Sequence, residues 1–254
     1  FGHDALAANT TGANNTALGY YSATDNTTGN NNLAIGFYAL KANTTGDNNT
    51  ALGNSALDAN TTADNNTAVG YGAGGKITIG TQNVFVGRYA NKEGTVCNDC
   101  VAIGDRAGDG NTGNQNTFVG GRAGATGGDG GGTMNVGIGF YSLYSSGTAD
   151  ADYNTAVGAY SMEKNTSGNS NTALGYEALE ENTTGSGNVA IGRFALDSHT
   201  TGVYNTGVGM HALGANTTSD GNTALGYAAL FNNTTADDNT SVGRSSLYNN
   251  TTGA

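Results

Sequence analysis

Short apolar clusters and longer polar stretches alternate along the whole chain at a fixed spacing. The clusters read xALG, xAIG or xAVG, and the stretches between them are rich in Asn, Thr and Gly. ANTTGANNTALG at 8–19 returns as ANTTGDNNTALG at 42–53, ANTTADNNTAVG at 59–70 and ANTTSDGNTALG at 215–226. With the Gly that closes each cluster as phase marker, the series runs Gly2, Gly19, Gly36, Gly53, Gly70, Gly87, Gly104, Gly120, Gly139, Gly158, Gly175, Gly192, Gly209, Gly226 and Gly243. The interval is 17 residues, apart from one of 16 and two of 19. A repeat this short cannot bury an apolar face alone and must stack on its neighbours, which predicts a solenoid.

The columns predict where side chains point. A branched aliphatic precedes each phase Gly from Gly19 onwards (Leu18, Ile35, Leu52, Val69), and Thr, Val or Leu stands two positions earlier, as at Thr50 and Val101. Ala usually lies between them, as at Ala34 and Ala51. This two-residue period predicts one short strand per coil, with the branched residues facing an aliphatic interior and the Ala facing out. A second apolar column follows four residues after the phase Gly: Leu6, Leu40, Leu57, Met162, Leu179, Leu196, Leu213, Leu230 and Leu247. Ala or Ser always precedes it, so little room is expected there. The expected fold is all-β, a parallel β-solenoid or β-roll of about 15 coils with the 17-residue repeat. At a rise of about 4.7–4.9 Å per rung, this gives a rod on the order of 70 Å.

The Asn of each NTT segment falls at one phase: Asn9, Asn26, Asn43, Asn60, Asn165, Asn182, Asn216, Asn233 and Asn250. Ile79 and Val96 replace the second Thr in two coils, which suggests that this column points inward. Alternation then turns Asn inward and the first Thr (Thr10, Thr27, Thr44, Thr61) outward. A buried Asn stacked on the Asn of the next coil forms a ladder that satisfies its own polar groups. Residues 71–134 depart from this consensus. Gly74, Gly108 and Gly124 replace the Leu, Phe85 and Phe118 enter the Ala slot, and GGDGGGT at 127–133 lengthens a turn. The reading is one solenoid over 1–254, regular at 1–70 and 135–254 and irregular at 71–134.

Composition narrows the function. The 254 residues include 43 Gly and no Pro or Trp, and no apolar run has the length of a membrane helix. With nine Lys and Arg against 20 Asp and Glu, the net charge is −11. That balance predicts neither nucleic-acid binding nor membrane insertion. The chain opens and closes inside a motif, so it reads as a segment of a longer protein.

Few motifs survive the repeat. Cys97 and Cys100 form CNDC, read as a local disulfide, with reduced cysteines as the alternative. His3, His199 and His211 lie in distant coils, so no zinc site is assembled. The Asn-x-Thr triplets, as at Asn43 and Asn182, match glycan acceptors but follow automatically from the repeat. Asp47, Asp64, Asp220 and Asp237 recur at one turn without a calcium-roll spacing. GAGGK (72–76) and GDRAGDG (104–110) read as turns, not phosphate loops. Nearly every polar residue has a copy, whereas a catalytic residue should be unique. Neither an enzyme nor a cofactor is predicted.

The segments NNLAIG (31–36), NNTALG (48–53), CVAIGDRAG (100–108) and GNVAIG (187–192) resemble the xVAIG signature of trimeric autotransporter adhesin heads. NTFVGGRAG (116–124) and NTALGYEAL (171–179) resemble the repeat shafts of bacteriophage tail fibres. The resemblance implies a left-handed YadA-like β-roll in an extracellular fibre or adhesin, at a cell surface or on a virion. It also implies a homotrimer or filament that presents a surface to a cell-surface or matrix receptor. Tyr20, Tyr21, Phe37, Tyr38, Tyr71, Tyr176 and Tyr227, just past the phase Gly, are candidate contacts, and packing between coils is the competing reading. The alternative function is an ice-binding solenoid with a flat Thr/Ala face.

Overall fold

The computed structural model describes residues 1–126, 130–144 and 151–253. Three of the seven residues of GGDGGGT, 127–129, lie outside the described residues. The protein is an all-β parallel solenoid. Among the described residues, fourteen three-residue strands run from Thr16–Leu18 to Thr240–Val242, one per coil. The fifteenth expected strand is missing because only Phe1 precedes Gly2. The chain divides into two compact units, Phe1–Gly131 and Gly132–Ala254. Inside each, strands pair in parallel with the same phase of the next coil, so that Leu33, Ala34 and Ile35 face Thr50, Ala51 and Leu52. The Gly53 amide donates to the Ile35 carbonyl at 2.8 Å, and Thr50 N–H to Asn66 O at 2.8 Å.

The phase Gly has a steric cause. Gly53 has φ +143°, and a Cβ there would sit 2.4 Å from the carbonyl oxygen of Gly70 in the next coil. Stacked backbones leave no room for a side chain at this column.

The strand faces the opposite way from the sequence expectation. Ala34, Ala51, Ala68, Ala173 and Ala190 are fully buried, whereas Leu18, Leu52, Leu174 and Leu225 lie outside. The interior is therefore narrow. It is made of strand Ala, the Leu column (Leu40, Leu57, Leu179, Leu196, Leu213, Leu230, with Met162) and the Ala or Ser before it. A branched aliphatic in the Ala slot would collide with that column. Thr and the branched residues keep their β-preference but satisfy it on the outer face.

The irregular coils obey the same volume rule. Phe85 and Phe118 point inward, and they do so where the Leu column is Gly. A Cβ on Gly74 would meet Phe85 Cδ2 at 2.8 Å, and one on Gly124 would meet Phe118 Cδ1 at 2.2 Å. The pair Leu plus Ala becomes Gly plus Phe at nearly constant volume, as close packing requires.

The second Thr column also faces out: Ile79 is 57% and Val96 37% exposed. NTTG is a turn, not a strand. The amides of Thr27, Thr28 and Gly29 all converge on the Thr44 carbonyl, at 2.9, 3.1 and 3.3 Å. Alternation does not apply there. Burial instead falls from Asn through a half-buried first Thr to an exposed second Thr. The first Thr hydroxyl donates to the first Thr carbonyl of the next coil, Thr27 to Thr44 at 2.9 Å and Thr44 to Thr61 at 3.0 Å.

Candidate functional site: polar ladders and the outer face of the sheet

The NTT asparagines stack along each unit's axis. Asn26 Nδ2 donates to Asn9 Oδ1 (2.9 Å), Asn43 to Asn26 (2.7 Å), Asn60 to Asn43 (3.3 Å) and Asn182 to Asn165 (2.9 Å). Each of these amides also donates within its own turn, as Asn43 does to Gly46 O at 3.0 Å. The same turn bond is made by Asn9, Asn165, Asn233 and Asn250, while Asn216 Oδ1 accepts from the Ser219 amide. Buried Ile77 takes the Asn place in one coil of the irregular stretch and Gly94 in the next.

A second Asn column, just before each strand, forms a more regular ladder that the sequence reading passed over. Asn49 N–H donates to Asn32 Oδ1 (2.8 Å) and Asn66 N–H to Asn49 Oδ1 (3.0 Å), while Asn49 Nδ2 reaches Ala63 O in the next coil (2.8 Å). The pattern returns at Asn171, Asn188, Asn205 and Asn222. Its signal was in the sequence as the Asn that precedes nearly every strand. The residue before it is exposed and left-handed, as Asn48 is at φ 58°, a conformation that favours Asn.

The recurring Asp column forms a third ladder. Asn30 N–H donates to Asp47 Oδ1 (2.6 Å), Asp47 N–H to Asp64 Oδ1 (2.7 Å) and Asp220 N–H to Asp237 Oδ1 (2.8 Å). These carboxylates serve as backbone acceptors. Among the described residues, no group of three or more His, Cys, Asp or Glu side chains is placed to hold a metal ion.

Cys97 and Cys100 are joined in a buried disulfide. Cys100 occupies the second Asn column, where its amide still donates to Asn83 Oδ1 at 2.9 Å. The 16-residue interval follows at once, because NTG at 111–113 lacks the second Thr. The Asn111 amide reaches Gly113 O at 3.1 Å. GAGGK and GDRAGDG lie in turns.

His199 interrupts the first ladder. It is buried, Nε2 lies 2.8 Å from Gly202 O, and Nδ1 faces Asn216 Oδ1 at 3.4 Å. The two rungs beside it carry unpaired buried atoms, Asn182 Oδ1 and Asn216 Nδ2. An Asn at 199 would pair both, so His199→Asn should stabilise the second unit by about 1–3 kcal/mol. Burial holds the imidazole below its ordinary range, so the folded state prefers it neutral. The unfolded chain takes up a proton near pH ~6.5. Native stability is then full above that pH and declines as pH falls through it towards the lower folded value. Urea unfolding at pH 7.5 and 5.5 should show the His199→Asn advantage growing at the lower pH.

The outer face of the sheet carries two columns in register. One holds Thr, Val or Leu (Thr50, Thr67, Val84), and the other holds the branched aliphatics, with Leu52 42% and Leu174 47% exposed. Exposed aromatics border it in both units, among them Tyr20, Phe37 and Tyr71 in the first and Phe140, Tyr176 and Tyr227 in the second. These rings pack between coils: Tyr20 stacks on Phe37 at 5.5 Å, while Tyr21 meets Tyr38 and Tyr176 meets Phe194 edge to face, each at 5.7 Å. The rings thus pack along the solenoid, as the competing reading expects, and Tyr20, Phe37 and Tyr176 keep an exposed side. Basic residues that look scattered in sequence are gathered by coil stacking. Arg88, Lys92 and Arg106 all lie 4.9–5.5 Å from the Tyr89 ring. No family model, no curated protein and no solved structure gives a significant match to this chain.

Proposed function

We propose that the protein is a non-enzymatic structural segment of an extracellular fibre or adhesin, which associates with further copies of itself through the outer face of its sheet. The observation that carries this reading is the column of branched aliphatics left outside in both units. Continuous apolar columns bordered by aromatic rings are unusual on a free surface and mark interaction sites. The strand Ala, expected on the outside, are interior and take no part in this face. The repeated use of each polar residue in a ladder supports a scaffold over an enzyme. The buried disulfide fits an oxidising, extracellular setting. The likeness of 31–36 and 100–108 to adhesin heads, and of 116–124 and 171–179 to tail-fibre shafts, points the same way. The trimer or filament, and the receptor such a segment would present itself to, belong to this proposal. Its test is a variant with Leu52→Lys and Val69→Lys, two outward positions where charge leaves the core untouched. This variant should be monomeric by light scattering where the parent chain is not, and unchanged association would refute the proposed face.

One observation favours a second reading. Thr16, Thr50 and Thr67 in the first unit, and Thr172 and Thr223 in the second, recur at the same outward position of the strand. A registered rank of Thr beside methyl-bearing residues is what an ice-binding face needs. That reading expects a monomer that shapes ice crystals with this face open.

A further inference from the structure

The irregular coils carry a groove. It has a volume of about 250 Å³ and is walled by Asp58, Tyr71, Lys76, Tyr89 and Lys92, with Gly72 in its floor. It exists because two positions lost their side chains. Gly72 stands where neighbouring coils carry Tyr38, Ser55 and Tyr89, and Gly75 stands where they carry Asp58 and Lys92. The Tyr89 ring folds over Gly72, 2.9 Å from where a Cβ would be, and meets Tyr71 edge to face at 5.1 Å between centroids. Two phenol rings thus form a corner.

The charges at this corner are arranged rather than scattered. Lys76 and Lys92 both bind the Glu93 carboxylate, Lys92 at 2.8 Å. The same Lys92 ammonium lies 4.9 Å from the Tyr89 ring. Their hydrogen bonds hold the Glu93 carboxyl below its ordinary range. Each ammonium has three N–H groups, and Glu93 accounts for one on each. The remaining N–H groups of these two exposed side chains are open to a further acceptor. Asp58 is half-buried in the same lining and supplies an acceptor.

We propose that this groove binds one pyranose ring bearing a carboxylate, that is, a uronate unit of an acidic glycan. The ring's C–H face would lie against Tyr89, its carboxylate would take the free N–H groups of Lys76 and Lys92, and a hydroxyl would donate to Asp58. The volume suits one sugar ring with its neighbours outside, and aromatic walls with a few convergent polar groups are what ligand pockets share. This deepens the reading of the chain as a presenting segment and rests on it, because the unique coils carry the recognition and the repeated coils carry the assembly.

The experiment is titration of the full chain with trigalacturonate, and separately with maltotriose as the neutral control, followed by calorimetry. The expected result is sub-millimolar to millimolar binding of the acidic trisaccharide, weakened about tenfold or more by Lys92→Gln and by Lys76→Gln. Both lysines are exposed, so neither change threatens folding. Absence of binding overturns the proposal. So does equal binding of maltotriose, or affinity that neither lysine variant alters. Light scattering on the same samples reports assembly independently, so loss of the glycan site and loss of the fibre reading give different results.

Discussion

Phe85→Ala should destabilise the first unit by about 3–5 kcal/mol, the usual cost of emptying a fully buried aromatic site. The ring is completely enclosed and fills the space that Leu provides in regular coils. Gly74→Leu alone should also destabilise, because its side chain would enter the volume held by Phe85 Cδ2 and Leu57 Cδ2, each within 3 Å of the new Cβ. Together the two changes recreate the Leu57–Ala68 arrangement of the preceding coil. The double variant should therefore recover most of the loss. What remains is about 1–2 kcal/mol for placing Leu in a left-handed backbone, a conformation that Leu57 already adopts at φ 51°. Urea unfolding of the two single variants and the double variant forms a cycle with a large coupling term. Additive losses would mean that the two side chains do not share one cavity.

Asn49→Ala should cost about 2–4 kcal/mol, whereas Asn48→Ala, one residue earlier, should cost about 1 kcal/mol. Asn49 is buried and serves two coils, accepting from the Asn66 amide and donating to the Ala63 carbonyl. Its loss strands a buried N–H, and each such group costs about 1–3 kcal/mol. Asn48 is exposed, and what it contributes is tolerance of φ 58°. Asn48→Gly should accordingly be close to neutral. Native-state hydrogen exchange gives the sharper readout. The Asn66 amide should lose protection in Asn49→Ala and keep it in Asn48→Ala.

The sequence displayed the period, the strand position, the buried Leu column and the inward NTT Asn. All of these depend on the spacing of residue types, which stacking copies faithfully into space. It did not display which strand face lies inside. Alternation separates Ala from its branched neighbours but is silent on direction, and the rule that apolar residues go inside fails when a coil is too narrow to hold them. The clue was the joint departure of Phe85 and Gly74, and of Phe118 with Gly108 and Gly124. Such exchanges make sense only if the Ala slot and the Leu column face each other. The inward NTT Asn was reached from a wrong premise, since Ile79 and Val96 lie outside. A β-branched apolar residue at a turn is compatible with either side, and three amides sharing one carbonyl cannot be read from residue types. The second Asn ladder was legible as a column, but its meaning depends on the strand direction that the sequence left open. The groove beside Tyr89 was hidden for another reason. Asp58, Tyr71 and Lys76 are brought to Tyr89 and Lys92 only by the stacking of successive coils.

The outward aliphatic face ties the fold to the proposed role, and the solution mass of the unmodified chain tests it most directly. Light scattering across a hundredfold dilution should give a multiple of the 25.3 kDa chain mass that persists on dilution. The Leu52→Lys, Val69→Lys variant should give the single-chain mass. A parent chain that remains a 25.3 kDa monomer at every concentration would contradict self-association through this face.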